Sequence, residues 1–241
     1  MKIVISFLTS RSDCPETGAL NPANGFADGL RLRVPASCRA LFICSDPDGH
    51  ARTDFYAASV RSCFEAAGFR FARFAALDGR NADRAAELVR ESDLLILSGG
   101  HVPTQNRFFQ RIGLKALLRG FPGVLMGISA GSMNSAETVY AQPELEGEAL
   151  DPAYPRFLPG LGLTETMLLP HWQYVRDTVL DGLRVCEDIT LPDSRGRTFF
   201  AIPDGTYLLI EDGRETLYGE AYRIRDGRIE RIAADGDAVM I

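Results

Sequence analysis

Lysine, histidine and long apolar runs are scarce in this 241-residue sequence, and each scarcity bears on a class of function. Lys2 and Lys115 are the only lysines among 26 basic residues, and 32 acidic residues leave a net charge of −6. A general nucleic-acid binder needs clustered basic side chains to neutralise phosphates, so no nucleic-acid partner is expected. No stretch approaches the roughly 20 apolar residues that cross a bilayer, and no membrane span is expected either. The apolar opening at residues 3–8 is shorter than a signal-peptide core. It runs into Arg11, Asp13 and Cys14 without a small-residue cleavage site, and is expected to be a buried first strand. Five cysteines, at positions 14, 38, 44, 63 and 186, are odd in number and scattered, with no C-x-x-C pair and no histidine at metal-ligand spacing. Neither a disulfide framework nor a bound metal or other cofactor is expected, and a cytoplasmic location fits.

What is present is an alternation of short apolar runs with helical periods. Runs at 3–8, 40–44, 93–97 and 124–128 are each long enough for a buried strand. Between them, 54–67 places Phe55, Ala58, Val60, Cys63 and Phe64 at helical intervals and stops at Gly68, before 69–74 resumes as a strand. Residues 81–90 and 105–118 repeat the helical scheme. Such alternation predicts an α/β fold: a doubly wound, mostly parallel sheet with right-handed crossovers and helices on both faces. Residues 21–35 and 142–162 are rich in Gly, Pro, Asn or acidic side chains and are expected to be loops. Toward the end, strand-like runs at 198–202, 207–211, 220–225 and 228–232 are separated by Asp-Gly turns at 204–205, 212–213 and 226–227, which predicts a C-terminal antiparallel extension. A single domain over residues 1–241 is expected.

The chemistry centres on Gly127-Ile128-Ser129-Ala130-Gly131, a G-x-S-x-G motif at the end of a buried strand and the start of a small-residue helix. A nucleophile elbow needs this arrangement, because the turn brings backbone so close that only glycine fits on either side of the serine. The Ala130 amide is then poised to donate to an oxyanion. Ser98-Gly99-Gly100-His101 is a second strand end rich in glycine, and Gly100 is a candidate for the other donor. Three histidines, His50, His101 and His171, are available as a general base for Ser129. His171 follows the apolar run Met167-Leu168-Leu169 and Pro170, and so falls at a strand end; His101, beside the glycine pair, is the rival; His50 lies in a turn. Asp204, in Pro203-Asp204-Gly205, is the candidate carboxylate for orienting the imidazole, although Pro-Asp-Gly also makes an ordinary turn. Glu144 and Glu165 are alternatives. Arg107 and Arg176 are candidate clamps for a substrate carboxylate.

On Ser98-Gly99-Gly100, Gly127-Ile128-Ser129-Ala130-Gly131, Leu169-Pro170-His171 and Ile202-Pro203-Asp204-Gly205, in that order and spacing, the sequence resembles the aspartyl dipeptidase (peptidase E) family. That family includes cyanophycinase-like members and has the class I glutamine amidotransferase-like fold. The resemblance covers roughly residues 3–211 and implies a triad of Ser129, His171 and Asp204, an oxyanion hole from Gly100 and Ala130, and a small peptide as substrate. The aspartyl dipeptidase carries Asn after the glycine pair and Glu in the last motif, where this chain has His101 and Asp204. The resemblance therefore does not carry over a preference for Asp-X dipeptides, and His101 becomes a candidate substrate contact. A glutamine amidotransferase would need cysteine at position 129. An α/β-hydrolase esterase would place its histidine after the acid, near the chain end, where this chain has none. A non-catalytic binding protein on the same fold remains as an alternative class.

Overall fold

The computed structural model describes residues 4–241, so the Ile3 end of the expected first strand lies outside the described residues. Strands β1 (Ile5–Thr9), β2 (Ser37–Ile43), β3 (Arg70–Leu77), β4 (Leu94–Leu97) and β5 (Val124–Ile128) follow the apolar runs of the sequence. Beyond them come β6 (Met167–Leu169), β7 (Thr198–Ala201), β8 (Tyr207–Glu211), β9 (Arg214–Tyr218), β10 (Ala221–Arg225), β11 (Arg228–Ala233) and β12 (Ala238–Met240). The main sheet has eight strands in the order β12-β9-β8-β1-β5-β4-β2-β3. Its β1-β5-β4-β2-β3 part is parallel, and β8, β9 and β12 extend it antiparallel from β1.

Helices cover both faces, which is why Leu94–Leu97 reads as four apolar residues in a row instead of alternating. The helices are α1 (Phe26–Arg31), α2 (His50–Ala66), α3 (Ala85–Arg90), α4 (Val102–Arg111), α5 (Leu114–Leu117), α6 (Ala130–Met133) and α7 (Trp172–Val175). One face packs Leu41, Ile43, Leu95, Leu97 and Leu125 against α3, α4 and α5. The other packs Phe7, Phe42, Ile96 and Met126 against α1 and α2.

The structure revises several boundaries. Residues 21–35 are not all loop: Phe26, Ala27 and Leu30 form the buried face of α1, a helix too short for its period to stand out among Asn and Gly. Helix α2 begins at His50, four residues before the expected start, because the Asp46 side chain and carbonyl organise the preceding turn and the first helical turn is largely exposed and polar. The expected helix at 105–118 begins earlier and divides at Gly113 into α4 and α5. The start of the helix at 81–90 is a 3-10 turn capped by Asp78, whose side chain accepts the Arg80 N–H at 2.9 Å. Within 142–162, Phe157–Pro159 pairs antiparallel with Thr138–Tyr140.

The C-terminal strands are shared between two sheets. A second, four-stranded sheet has the order β6-β7-β10-β11. Strands β6 and β7 run parallel, with Leu169 opposite Ala201, so the segments that follow them leave side by side at the same end. Tyr140 stacks on Phe199 of β7 at 4.3 Å between ring centroids, and Val102 of α4 with Ala130 and Met133 of α6 fill the same apolar cluster. The short helix after Ser129 is thereby wedged between the main sheet and the second one.

Candidate active site

Ser129 joins the end of β5 to α6 with φ 50° and ψ −111°. A side-chain-bearing residue in such a conformation costs on the order of 1–3 kcal/mol and persists only when its surroundings fix it. Here the Ser129 N–H donates to the Thr9 carbonyl at 2.9 Å, while the Ser129 carbonyl accepts from the N–H groups of Ser132 and Met133 at 2.9 and 3.0 Å. Ser132 Oγ donates to the same Thr9 carbonyl at 2.8 Å. The flanking glycines are required by close approach: a Cβ on Gly127 would lie 2.9 Å from the Ser132 amide nitrogen, and one on Gly131 would run into the Leu97 carbonyl oxygen. The elbow is thus clamped between β1 and β4, its two neighbours in the sheet.

The turn after β4 lies against this elbow. A Cβ on Gly99 would sit 3.5 Å from Ser129 Cβ. Gly100 adopts φ 145°, where a side chain would also collide with Ser45 Oγ. Gln105 Nε2 donates to the Ser98 carbonyl at 2.7 Å and holds the loop from below. Among the described residues, the amides of Gly100 and Ala130 donate to no other group of the protein, which leaves both for a ligand oxygen.

His171 and Asp204 come from the second sheet, past the ends of the parallel pair β6 and β7. His171 Nδ1 lies 2.7 Å from Asp204 Oδ1. The side chains are partly covered, at 36% and 19% exposure, so the carboxylate is the drier partner. Burial acts to raise the Asp204 carboxyl, but its contacts with His171 and the hydrogen bond from Ser10 outweigh it and hold the group below the usual carboxylate range. With Nδ1–H committed to Asp204, the other ring nitrogen, Nε2, is the one free to accept a proton. Among the described residues the Ser129 hydroxyl makes no hydrogen bond to His171; such bonds are commonly long without substrate.

Ser10 ties the two halves together and was not singled out from the sequence. It directly follows Thr9, the acceptor for Ser129. Its hydroxyl donates to Asp204 Oδ1 at 2.7 Å, accepts the His171 backbone N–H at 2.7 Å, and lies 3.3 Å from His171 Nδ1. Gln173 Oε1 accepts the Asp204 backbone N–H at 3.1 Å. The available signal for Ser10 was its place just beyond the carboxyl end of a central strand, where open α/β sheets collect their sites.

The other candidates are dispersed. His101 Nε2 lies 2.8 Å from Glu148 Oε1, but the approach is out of line with a ring N–H and makes no hydrogen bond. Its Nδ1 meets Thr104 Oγ1 at 2.8 Å. Glu148 also accepts the Glu144 and Leu145 amides at 2.9 and 3.0 Å, which brings the 144–148 loop up to the glycine turn. Glu144 is open to solvent as a residue, yet crowding by protein atoms and then the charge of Glu148 hold its carboxyl above the ordinary range. Glu165 is exposed and precedes β6, at the opposite end from His171. Arg107 and Arg176 are exposed, bonded to Thr104 and Asp177 respectively. Among the described residues no three His, Cys, Asp or Glu side chains gather as a metal would require, and no helix is long and apolar enough to cross a membrane.

The model of peptidase family S51 matches residues 7–218. No curated protein matches the sequence significantly. Among solved structures, a peptidase from an acI-B1 actinobacterium is similar with a TM-score of 0.64 at 18% identity, covering 99% of this chain and 97% of that one. A peptidase E protein from Listeria monocytogenes EGD-e is similar with a TM-score of 0.56 at 13% identity, covering 95% and 99%. At such identities these two likenesses speak for the fold alone.

Proposed function

Because the chain belongs to peptidase family S51, a family of serine peptidases, we propose that it hydrolyses short peptides, dipeptides above all, through Ser129, His171 and Asp204. The observation that carries this reading is the 2.7 Å bond between His171 Nδ1 and Asp204 Oδ1, linked through Ser10 and Thr9 to a serine held in a strained strand-to-helix turn. In the proposed reaction His171 Nε2 takes the proton of Ser129 Oγ as the hydroxyl attacks the scissile carbonyl. The amides of Gly100 and Ala130 stabilise the oxyanion, a contribution of about 3–4 kcal/mol for a single well-placed donor. The imidazolium returns its proton to the leaving amine, and water then repeats the cycle on the acyl-enzyme. Asp204 stays ionised throughout and stabilises the imidazolium. His101, Arg107 and Arg176 are the side chains proposed to contact the substrate beyond the scissile bond.

The test is hydrolysis of a pool of unprotected dipeptides, read by release of free amino acids, with purified wild type and Ser129→Ala. Wild type cleaves at least one class of dipeptide, and the variant has no activity above background while its melting temperature is retained. Turnover in Ser129→Ala equal to that of wild type would overturn the serine mechanism, and a wild type inert toward every member of the pool would overturn the dipeptidase assignment.

A further inference from the structure

We infer that Ser10 is a positioning residue for the His171–Asp204 pair, and this rests on the triad reading given above. Its hydroxyl has one proton to give, and the 2.7 Å approach to Asp204 Oδ1 directs that proton to the carboxylate. Its lone pair receives the backbone N–H of His171 at 2.7 Å. The longer 3.3 Å approach to His171 Nδ1 is a by-product of both partners converging on Asp204 Oδ1. Ser10 is fully buried, so water does not substitute for it.

Two consequences follow from this wiring. His171 has φ 58° and ψ 34°, left-handed backbone that a histidine adopts only when something holds it there, and the Ser10 bond to its N–H is one such restraint. The carboxylate oxygen that orients the imidazole is the same one that Ser10 binds, so Ser10 fixes its direction and draws off part of its negative charge. Thr9, one residue earlier, accepts from both the Ser129 amide and the Ser132 hydroxyl. One peptide unit at the end of β1 therefore registers the nucleophile with one residue and the base and acid with the next. Besides its bonded partner His171, Asp204 faces Arg11, which is paired with Asp13 at 2.9 Å. Neither duplicates the Ser10 contact.

The experiment uses Ser10→Ala, Ser10→Cys, which keeps the shape but donates weakly, and Ser10→Thr, which keeps the hydroxyl. The ring protons of the three histidines are followed by NMR as pH is varied, a measurement that needs no substrate and in which His50 and His101 serve as internal controls. Removing the Ser10 proton concentrates charge on the carboxylate and stabilises the imidazolium, so the His171 midpoint rises by about half a pH unit in the Ala and Cys variants. His50 and His101 stay where they were, and the Thr variant returns the His171 midpoint toward that of wild type. On dipeptides, Ser10→Ala loses about 10- to 100-fold in kcat with little change in KM. A merely structural role would lower the melting temperature and leave the titration alone. If the His171 midpoint in Ser10→Ala and Ser10→Cys were unchanged or lower, the inference would be overturned. Ser129→Ala serves as the companion: its continued turnover would remove the serine mechanism without touching the titration result, whereas an inactive Ser129→Ala beside a wild-type titration in Ser10→Ala would remove only the role of Ser10.

Discussion

Replacing Asp204 by Asn separates a catalytic carboxylate from a turn residue, because the amide preserves size and the preference for an Asp-Gly type turn while deleting the charge. Against a neutral imidazole the loss is an ion–dipole contact. During attack His171 becomes an imidazolium whose charge lies about 4 Å from that of the carboxylate, worth about 4 kcal/mol at an effective dielectric of about 20. The 2.7 Å bond and the 19% exposure of Asp204 set that separation and make the partly screened dielectric the appropriate one. Expressed as a rate, the deficit is about a thousandfold in kcat. The stability deficit is smaller: two charge-assisted hydrogen bonds become neutral ones, about 1–2 kcal/mol, or roughly 2–8 °C in melting temperature for a chain of this size. Steady-state kinetics on a cleaved dipeptide, paired with thermal unfolding of the same preparations, measures both. Asp204→Glu should keep partial activity, since the longer acid retains the charge. Turnover by Asp204→Asn within about threefold of wild type would refute the reasoning and leave only Ser129 and His171 in place.

Other outcomes follow from the same geometry. His171→Ala should lose nearly as much turnover as Ser129→Ala because a triad acts as a unit, whereas His101→Ala should act mainly on KM; steady-state kinetics showing the reverse would move the base to His101. The Asp204 carboxyl is depressed in the folded protein, because its hydrogen bonds outweigh burial, so its contribution to stability is present in full above the unfolded value near pH 4 and is lost as pH falls through the folded one. The difference in unfolding free energy between wild type and Asp204→Asn, measured in urea, should shrink as pH is taken well below about 4, and a difference that kept growing there would contradict the assignment. Gly131→Ala should be damaging to the fold itself, since the new methyl meets the Leu97 backbone, with its carbonyl carbon at 2.8 Å. A melting temperature lower by at least several degrees is expected, from overpacking of about 1–3 kcal/mol, and an unchanged value would show that the elbow is not clamped as described.

The parts of the molecule legible in the sequence are those whose signal is local. The elbow announces itself because a close backbone approach forces glycine at 127 and 131 within a few residues of the serine. Strands β2, β4 and β5 are legible because burial on both faces leaves unbroken apolar runs. The strand-end positions of His171 and Asp204 were legible, but what joins them was not, since β6 and β7 pair across about thirty residues and no local pattern encodes that pairing. Ser10 was illegible for the same reason: a serine after a strand is ordinary, and its three contacts exist only once the second sheet lies against the end of β1. Helix α1 escaped because its buried positions are few and its flanks are rich in Asn and Gly. The division of the C-terminal strands between two sheets was likewise beyond reach, because alternation marks a strand without naming its partner.

The seating of Ser129 on one sheet and of His171 and Asp204 on another lets the two halves of the proposed triad change separately. The seam between the sheets is ordinary apolar packing, with Leu168, Ile202 and Ala221 set among Leu8, Leu208 and Leu217. Substitutions along that seam can shift His171 relative to Ser129 while leaving both side chains unchanged. Rate can therefore drift, or be selected, at positions that no inspection of the reacting groups would flag. Conversely, a descendant released from the need to hydrolyse anything can discard His171 and Asp204 while the elbow, clamped from β1 and β4, keeps its shape. Such a descendant would still present a preformed cradle for a carbonyl or carboxylate oxygen, and its remaining usefulness would be recognition.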